Sequence, residues 1–428
     1  MSIILSLIVF SVLVLIHEFG HFLLAKKNGI GVTEFSLGMG PRIASFVKGG
    51  TRYSWKLIPF GGSCMMVGED EEAMTEDAFN SKSVWARISV VAAGPIFNFL
   101  LAIVLAIVYI SLEGYDQARI TNISEKYAAN LAENGTDLQV DDVITKYDGK
   151  RIELFRDLWL YKYLNPSDGT PVKVEYKRNG KKHTTTLIPI KYYTIGISYM
   201  ANDEPCKITT AEGTPVYEAG VRDNDVIVAI DGVAMKSGKD VNNYMSKHPL
   251  DGSSISLTIL RDEKEQVFEV TPAYAGYTDG FSYGKRIEAK NALEVIRYGF
   301  TELRYDMDAT LSGFKMIFTG KASREDVSGP VGIVKLVGDS YNEAKQDGAY
   351  YVFLQLAYLT ILLSVNLGVV NLLPFPALDG GRLVFLFIEA IRGKPVPREK
   401  EAIVHFAGMV LLMILMVVIL VNDVTKFF

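Results

Sequence analysis

Cysteine is scarce in this sequence, whose 428 residues include only Cys64 and Cys206. At most one disulfide is possible, which excludes the disulfide frameworks of small secreted domains. An excess of either charge is also lacking, because 44 Lys and Arg residues oppose 49 Asp and Glu residues, for a net charge of −5. No basic face or acidic tail is present, so the sequence carries no sign of nucleic-acid binding.

Long apolar runs, in contrast, are present. Hydrophobic residues make up 49% of the sequence and charged residues 22%, and the two kinds are segregated along the chain. A helix needs about 20 apolar residues to cross a bilayer. Segments 3–25, 88–112, 352–373 and 403–421 are long and apolar enough to do so. The interval between the second and third segments is mostly polar and is long enough for one or two domains.

Lysine and arginine are concentrated in the loop between spans one and two and in the loop between spans three and four. Short loops rich in these residues favour the cytoplasm. Both loops are therefore predicted to lie inside, and the two termini and the polar region outside. This topology separates the two cysteines and excludes a disulfide between them. The basic residues are Lys26, Lys27, Arg42, Lys48, Arg52, Lys56, Lys82 and Arg87 in the first loop and Arg392, Lys394, Arg398 and Lys400 in the second.

A secretory signal peptide is the alternative to a transmembrane helix as an interpretation of residues 1–25. This stretch has no basic segment at its start and no small-residue cleavage site, and its pair of lysines follows the apolar run instead of preceding it. We expect it to be retained as a helix.

The motif His17-Glu18-Phe19-Gly20-His21 lies at the C-terminal end of this run. Residues four apart share one helix face, so both imidazoles can bind one Zn²⁺ ion, with Glu18 placed to take a proton from water. Two histidines and a glutamate are costly in hydrocarbon, and such residues are functional by default. The alternatives are a satisfied polar cluster and a helix that ends before His17. The motif favours hydrolytic chemistry at a metal site.

A catalytic zinc usually has three protein ligands, so the two histidines leave one to be found. Asp379 is the best source, because it lies in the segment N-L-L-P-F-P-A-L-D-G-G at 371–381, at the predicted cytoplasmic end of the third span. The two prolines are expected to break the helix, and the glycines to allow a tight reversal. A solvated turn residue is the alternative interpretation of Asp379, and Glu389 is a poorer ligand because it lies on a helical apolar pattern.

These motifs resemble those of the site-2 protease family of intramembrane zinc metalloproteases, most closely the bacterial regulator of sigma-E protease branch. The resemblance depends on H-E-F-G-H at 17–21 and N-x-x-P-x-P-x-L-D-G at 371–380. Further matches are Y-S-W-K-L-I-P-F-G-G at 53–62, A-G-P-I-F-N at 93–98 and S-G-P-V-G-I at 328–333, in the same order.

The resemblance implies that His17, His21 and Asp379 bind zinc, that Glu18 is the general base, and that Asn371 contacts the substrate backbone near the scissile bond. The implied enzyme is a multi-pass protein of the bacterial cytoplasmic membrane, with its active site toward the cytoplasm. Its implied substrate is a single-pass transmembrane protein, either an anti-sigma factor already cut outside or a remnant signal peptide.

Residues 53–60 alternate between apolar and polar and are followed by glycines, which predicts a short re-entrant β-hairpin that dips into the membrane. A transmembrane substrate must be unwound before it is cut, and an open strand edge can hold the extended chain. The substrate contacts expected on this hairpin are Leu57, Ile58, Gly61 and Gly62. The alternative is an interfacial loop anchored by Tyr53 and Trp55.

In the second span, Gly94, Pro95 and Asn98 are small, helix-distorting or polar residues among apolar neighbours. Small residues allow membrane helices to approach closely, and an amide can form a hydrogen bond between helices. We expect these three residues to serve packing rather than chemistry.

The polar region contains a weak internal repeat, in which 134–149 and 218–232 share an Asp-Val-Ile strand start and an Asp-Gly turn. The pattern resembles tandem PDZ domains, degenerate in the first copy, and predicts α+β modules at 115–193 and 194–273. PDZ domains bind extended peptides at a sheet edge, here expected near 196–197. Alternatively, the modules are spacers with empty grooves.

The complete prediction is a polytopic α-helical membrane protein with four transmembrane helices, a re-entrant hairpin and two extracytoplasmic PDZ-like domains. Residues 1–113 and 351–428 form the membrane metalloprotease, and 274–350 form an amphipathic linker or gate at the outer interface. The expected partners are membrane lipid, transmembrane substrates and peptide ligands of the PDZ domains. The alternative is a non-proteolytic membrane scaffold with a structural metal site, although such a site needs no base like Glu18.

Overall fold

The computed structural model describes residues 2–69, 75–123, 125–324 and 326–427. The chain forms two compact units. Met1–Gly114 and Glu288–Phe428 form one, which we call the membrane unit, and Tyr115–Ile287 form the other, which we call the polar unit.

The membrane unit begins with two long apolar helices separated by two strands. The second of these helices, α2 (Val84–Glu113), begins four residues before the predicted span, because the Ser83 hydroxyl accepts a hydrogen bond from the backbone N–H of Ala86 and caps the helix. Pro95 lies within α2 without ending it. The elements are α1 (Ser2–Lys27), β1 (Val32–Lys48), β2 (Thr51–Met66) and α2 (Val84–Glu113).

Both strands bend, so the predicted short hairpin is in fact a larger sheet. Residues 42–48 pair with 51–56, whereas 32–37 pair with 62–66 on one side and with 52–55 on the other. The bends occur at glycines with positive φ, and a Cβ on Gly38 would lie 2.5 Å from the Ile58 carbonyl oxygen. The segment 62–66 therefore lies at an edge of this sheet, on the opposite side of 32–37 from 52–55.

The polar unit is an α+β structure. Its elements are β3 (Tyr115–Ile123), α3 (Glu125–Glu133), β4 (Val143–Tyr147), β5 (Lys150–Arg151), α4 (Phe155–Leu164), β6 (Val172–Arg178), β7 (Lys181–Leu187), β8 (Ile190–Thr194), β9 (Ile197–Ser198), β10 (Thr209–Thr210), α5 (Pro215–Glu218), β11 (Val226–Ile230), β12 (Val233–Ala234), α6 (Gly238–Lys247), β13 (Ile255–Arg261), β14 (Lys264–Val270), β15 (Ala273–Thr278) and β16 (Phe281–Ile287). The largest sheet has the strand order β16-β3-β4-β6-β7, with β5 paired to β4, and the second has the order β12-β11-β13-β14. Two-stranded pairs are formed by β15 with β8 and by β10 with β9.

The weak sequence repeat corresponds to repeated contacts in the polar unit. Asp142 accepts two hydrogen bonds from Arg178, at 2.8 and 2.9 Å, and Asp225 accepts two from Arg261, at 2.6 and 2.8 Å. In both places the same carboxylate also accepts the backbone N–H of the residue three positions earlier. Each copy has its own apolar core. The repeated sequence therefore forms the same pairing of a carboxylate with an arginine in two places, each beside its own apolar core.

The predicted start of the linker at residue 274 is too early. The strand β15 pairs with β8, and β16 pairs with β3 at the start of the first module. Residues 274–287 therefore belong to the polar unit, not to the predicted linker over 274–350. The return of β16 to β3 depends on a contact between distant parts of the chain, which no local pattern reveals.

The membrane unit continues with five helices. The predicted amphipathic segment corresponds to the first of these, which packs against α2. This helix buries polar side chains such as Glu302 and Asp306 and exposes apolar ones such as Phe300 and Leu311. The helices are α7 (Ala292–Phe318), α8 (Pro330–Asp347), α9 (Ala349–Leu372), α10 (Asp379–Arg392) and α11 (Arg398–Phe427).

Four helices within the described part of the chain, namely α1, α2, α9 and α11, are long and apolar enough to cross a membrane. They correspond to the four predicted spans, except that α9 ends one residue before the predicted end of the third span. Only 6% of the most apolar stretch of α11 is buried by other residues, so most of its surface is left for lipid. The protein is a polytopic membrane protein.

Candidate metal centre

His17 and His21 of α1 and Asp379 of α10 bring three metal-binding atoms together. The two Nε2 atoms are 3.2 Å apart, and the Oδ2 atom of Asp379 lies 3.1 Å from that of His17 and 3.4 Å from that of His21. Both histidines are buried. Across the residues that the structure describes, these are the His, Cys, Asp and Glu side chains grouped closely enough to hold one ion.

Asp379 reaches the histidines because the chain reverses after α9. That helix ends at Leu372, and the next helix begins with Asp379 itself. Between them, Ala377 has a φ of 76°, in the left-handed region, and its N–H donates to Nδ1 of His405 at 2.9 Å. The reversal is therefore held by a contact with α11.

The glycines that follow Asp379 do not make this reversal, contrary to the sequence prediction. Gly380 and Gly381 both lie inside α10. A Cβ on Gly380 would be 2.1 Å from the Leu373 carbonyl oxygen, and one on Gly381 would be 2.4 Å from that of Phe375. Their role is to let α10 pack directly against the preceding loop.

The second ring nitrogen of each histidine faces α2. Nδ1 of His21 lies 2.9 Å from the carbonyl oxygen of Val90, and Nδ1 of His17 lies 3.2 Å from the side-chain amide of Asn98. A carbonyl can only accept, so the neutral His21 ring carries its proton on Nδ1 and has a free lone pair on Nε2. Such outer contacts orient metal-binding histidines.

The three converging atoms fit a zinc ion. The lone pair on His21 Nε2 and the Asp379 carboxylate oxygen are both electron-rich and lie 3.4 Å apart. Oδ2 of Asp379 has no hydrogen-bond donor among the described residues. A cation between these atoms removes their repulsion, and two imidazoles with one carboxylate form a known catalytic zinc set.

Gly94 allows α2 to approach the metal ligands. A Cβ at this position would lie 2.3 Å from Nε2 of His21 and 2.8 Å from Cε1 of His17. On α1, Gly20 lies between the two histidines, and a Cβ there would be 2.4 Å from the Ala93 carbonyl oxygen. The predictions that Gly94 serves close helix packing and that Asn98 forms a hydrogen bond between helices are confirmed.

A cavity of about 610 Å³ opens beside the three ligands. Glu18 lines it, as do residues 62–69 at the end of β2 and just beyond it. The backbone of Gly62 is close to Glu18, since a Cβ there would lie 3.2 Å from Glu18 Cγ. An extended segment thus borders the cavity next to the acidic residue of the motif.

Not all the predicted substrate contacts lie at this cavity. Gly62 lines it, but Gly61, Leu57, Ile58 and Asn371 are not among the described residues that do. Leu57 and Ile58 are exposed on the part of β2 before its bend, and Asn371 is in the last turn of α9. The bend in β2 could not be read from an alternating pattern.

Comparison with known proteins agrees with this geometry. Peptidase family M50 matches residues 5–415. The chain is 33% identical over 450 residues to a zinc metalloprotease RasP of Geobacillus kaustophilus, covering 100% of this chain and 98% of that protein. It is 34% identical over 451 residues to the regulator of sigma-W protease RasP of Bacillus subtilis, covering 100% and 99%. A putative zinc metalloprotease of Fusobacterium nucleatum is 29% identical over 435 residues, with complete coverage of both chains. The chain therefore belongs to peptidase family M50 and is a zinc-dependent metalloprotease of the site-2 type.

Proposed function

We propose that this protein is an intramembrane endopeptidase in which His17, His21 and Asp379 bind zinc and Glu18 is the general base. The observation that carries the proposal is the convergence of the three ligand atoms within 3.4 Å beside a cavity lined by Glu18. The histidines belong to α1, one of the four helices long enough to cross a membrane. The alternative of a non-proteolytic scaffold is disfavoured by membership in a protease family.

The chemistry is the hydrolysis of one peptide bond. Bound by the three ligands, the ion would supply Lewis acidity toward water and toward the scissile carbonyl. Glu18 takes a proton from the attacking water as the carbon–oxygen bond forms. It then gives that proton to the leaving nitrogen as the carbon–nitrogen bond breaks, so one carboxylate acts as base and then as acid.

The substrate has to present an extended backbone to this cavity. A transmembrane helix uses its peptide N–H and C=O groups in its own hydrogen bonds. The edge segment 62–66 of β2 borders the cavity next to Glu18, and a strand edge can pair with an extended chain. We assign substrate capture to this segment, which includes Gly62 but lies beyond Leu57 and Ile58.

Asn371 retains its proposed role through family resemblance. It lies in the last turn of α9, eight positions before the Asp379 ligand in the chain. Its amide has both donors and an acceptor, which suit a peptide backbone. We propose that the Asn371 amide contacts the peptide backbone of a substrate once the substrate is bound.

The proposed substrates are single-pass membrane proteins already trimmed outside the cytoplasm, namely an anti-sigma factor or remnant signal peptides. The relative from Bacillus subtilis is named as a regulator of sigma-W protease, which supports a role in sigma-factor signalling. The distribution of basic residues supports an orientation with the polar unit and both termini outside and the metal centre toward the cytoplasm.

The two modules of the polar unit are proposed to be PDZ domains. Each combines strands, a short helix and a repeated Asp–Arg pair. In the second module, Gly196 has a φ of 80° and precedes the short strand β9, which supports a peptide-binding sheet edge near 196–197. We propose that the pair mainly excludes substrates with bulky outer domains.

Removal of the metal tests the proposed site. The purified protein should cleave a single-pass substrate, lose this activity with a zinc chelator and regain it with added zinc. The variant Asp379→Ala should contain less zinc than the unmodified protein and should not be restored, because one of three ligands is gone. Full zinc occupancy in this variant would contradict the assignment of the third ligand.

A further inference from the structure

Asn98 is a fully buried amide on the helix that packs against the metal ligands. Its Nδ2 atom lies 3.2 Å from Nδ1 of His17. Its Oδ1 atom is also buried and has no hydrogen-bond partner among the described residues. The amide nitrogen therefore faces a proposed zinc ligand, and the amide oxygen forms no hydrogen bond with the described residues.

The direction of this hydrogen bond decides whether His17 can bind metal. If Nδ2 of Asn98 donates to Nδ1, the proton of a neutral His17 ring has to be on Nε2. That proton lies on the side of the ring that faces Nε2 of His21, 3.2 Å away, and occupies the lone pair that a metal needs. This arrangement fits the protein without zinc.

Rotation of the amide by 180° exchanges its oxygen and nitrogen, which have nearly the same size, and reverses the bond. Oδ1 then accepts the Nδ1–H of His17, and the lone pair on Nε2 becomes free for the ion. In the orientation present, Oδ1 has no partner among the described residues, so the rotation breaks no hydrogen bond made by that oxygen.

We propose that Asn98 is a positioning residue for zinc, whose side-chain oxygen fixes His17 in the tautomer that binds the metal. This inference rests on the proposed role of His17 as a ligand. The same helix supplies the Val90 carbonyl to Nδ1 of His21, so α2 orients both imidazoles. Val90 offers a fixed acceptor, whereas Asn98 offers a group that can donate before the metal binds and accept afterwards.

Two contacts hold Asn98 in the place that this role requires. Its backbone carbonyl accepts a hydrogen bond from the Ser364 hydroxyl of α9 at 2.8 Å. Gly94, one helical turn earlier, lies directly against both imidazoles, which brings the Asn98 side chain within reach of the ring. Asn98 is thereby fixed between α1 and α9.

The test is the zinc affinity of purified full-length variants, measured by competition with a chromophoric chelator. Asn98→Leu is similar in size but offers no acceptor, and it should bind zinc 10- to 100-fold more weakly. Asn98→Asp keeps an oxygen that can accept the Nδ1–H of His17, and its affinity should stay within a few-fold of the unmodified protein. The absorption spectrum of the cobalt-substituted protein should be altered in the Leu variant and preserved in the Asp variant.

Ser364→Ala is the matched control, because it removes a hydrogen bond to the Asn98 backbone and leaves the contact with His17 intact. Equal losses of affinity in Ser364→Ala and Asn98→Leu would show that packing alone matters and would overturn the proposal. If Asn98→Leu does not fold, the Asp variant decides: retained affinity and cobalt spectrum support the inference, and their loss contradicts it.

His17→Ala separates this inference from the proposed function. Loss of zinc in His17→Ala together with unchanged affinity in Asn98→Leu would refute the role of Asn98 alone. Retention of zinc in His17→Ala would instead refute the proposed ligand set.

Discussion

Gly94 and His21 are in such close contact that no side chain fits between them: a Cβ on Gly94 would lie 2.3 Å from the His21 Nε2 atom. That nitrogen is a proposed zinc ligand. A helix residue on α2 therefore controls the geometry of a metal site whose two histidines lie on α1.

The first prediction is that Gly94→Ala prevents normal zinc binding. The added methyl group has to displace an imidazole ring, so we expect at least a tenfold loss of zinc affinity and a matching loss of cleavage. Both can be measured on the purified protein. Alanine is otherwise favoured over glycine inside a helix by about 1 kcal/mol, so the helix itself should not be weakened.

Gly313→Ala provides a control for this substitution. Gly313 also lies inside a helix, α7, and a Cβ there meets no described atom within 4 Å. This variant should bind zinc and cleave substrate like the unmodified protein. Normal zinc affinity in Gly94→Ala would show that the imidazoles do not depend on this close approach.

The second prediction concerns unwinding of the substrate. A glycine or proline near the scissile bond should raise cleavage, because these residues cost a helix about 1 and 3 kcal/mol. Such free energies correspond to about a fivefold and a hundredfold larger population of extended substrate. Cleavage rates for a matched series of substrates, compared at equal binding, measure the effect.

Two variants of β2 show whether an edge strand holds the unwound chain. Met65 borders the metal cavity, whereas Leu57 is exposed on the part of the strand away from it. Met65→Pro should lower cleavage more than Leu57→Pro, since a proline removes a backbone donor. Equal losses of cleavage in the two variants would count against strand capture, as would cleavage rates that do not depend on the helicity of the substrate.

The third prediction is that the polar unit excludes bulky substrates. Replacing residues 115–287 by a flexible linker from Gly114 to Glu288 removes this whole unit, including β16. A previously trimmed substrate should still be cut, and an untrimmed one should become cleavable. If the trimmed substrate is no longer cut by a folded, zinc-loaded membrane unit, the modules recruit substrate by binding peptides.

The residues with distinctive chemistry could be predicted from the sequence. Two histidines four positions apart have to share a helix face, and Asp379 follows the proline break that ends the third span. Residues whose roles depend on distant contacts could not be predicted in the same way. Close helix packing at Gly94 was predicted, but its contact with the metal ligands requires the distance between two helices, and the role of Asn98 requires the ring orientation of His17.

In the sheets, too, local features could be predicted and contacts between distant residues could not. Alternation correctly indicated strands near residue 53, but the bend of β2 depends on its pairing with two different parts of β1. The repeat in the polar unit was visible in its Asp-Val-Ile and Asp-Gly segments. The return of β16 to β3 joins residues at opposite ends of that unit and left no local pattern.

The central claim is that Glu18 moves the proton while three other residues hold the zinc. Glu18→Gln keeps the size of the side chain but cannot accept a proton. Zinc content and cleavage of a transmembrane substrate, measured on the same purified sample, test this most directly. We predict full zinc occupancy with a cleavage rate reduced by about 10²- to 10⁴-fold. A rate close to that of the unmodified protein would contradict the account.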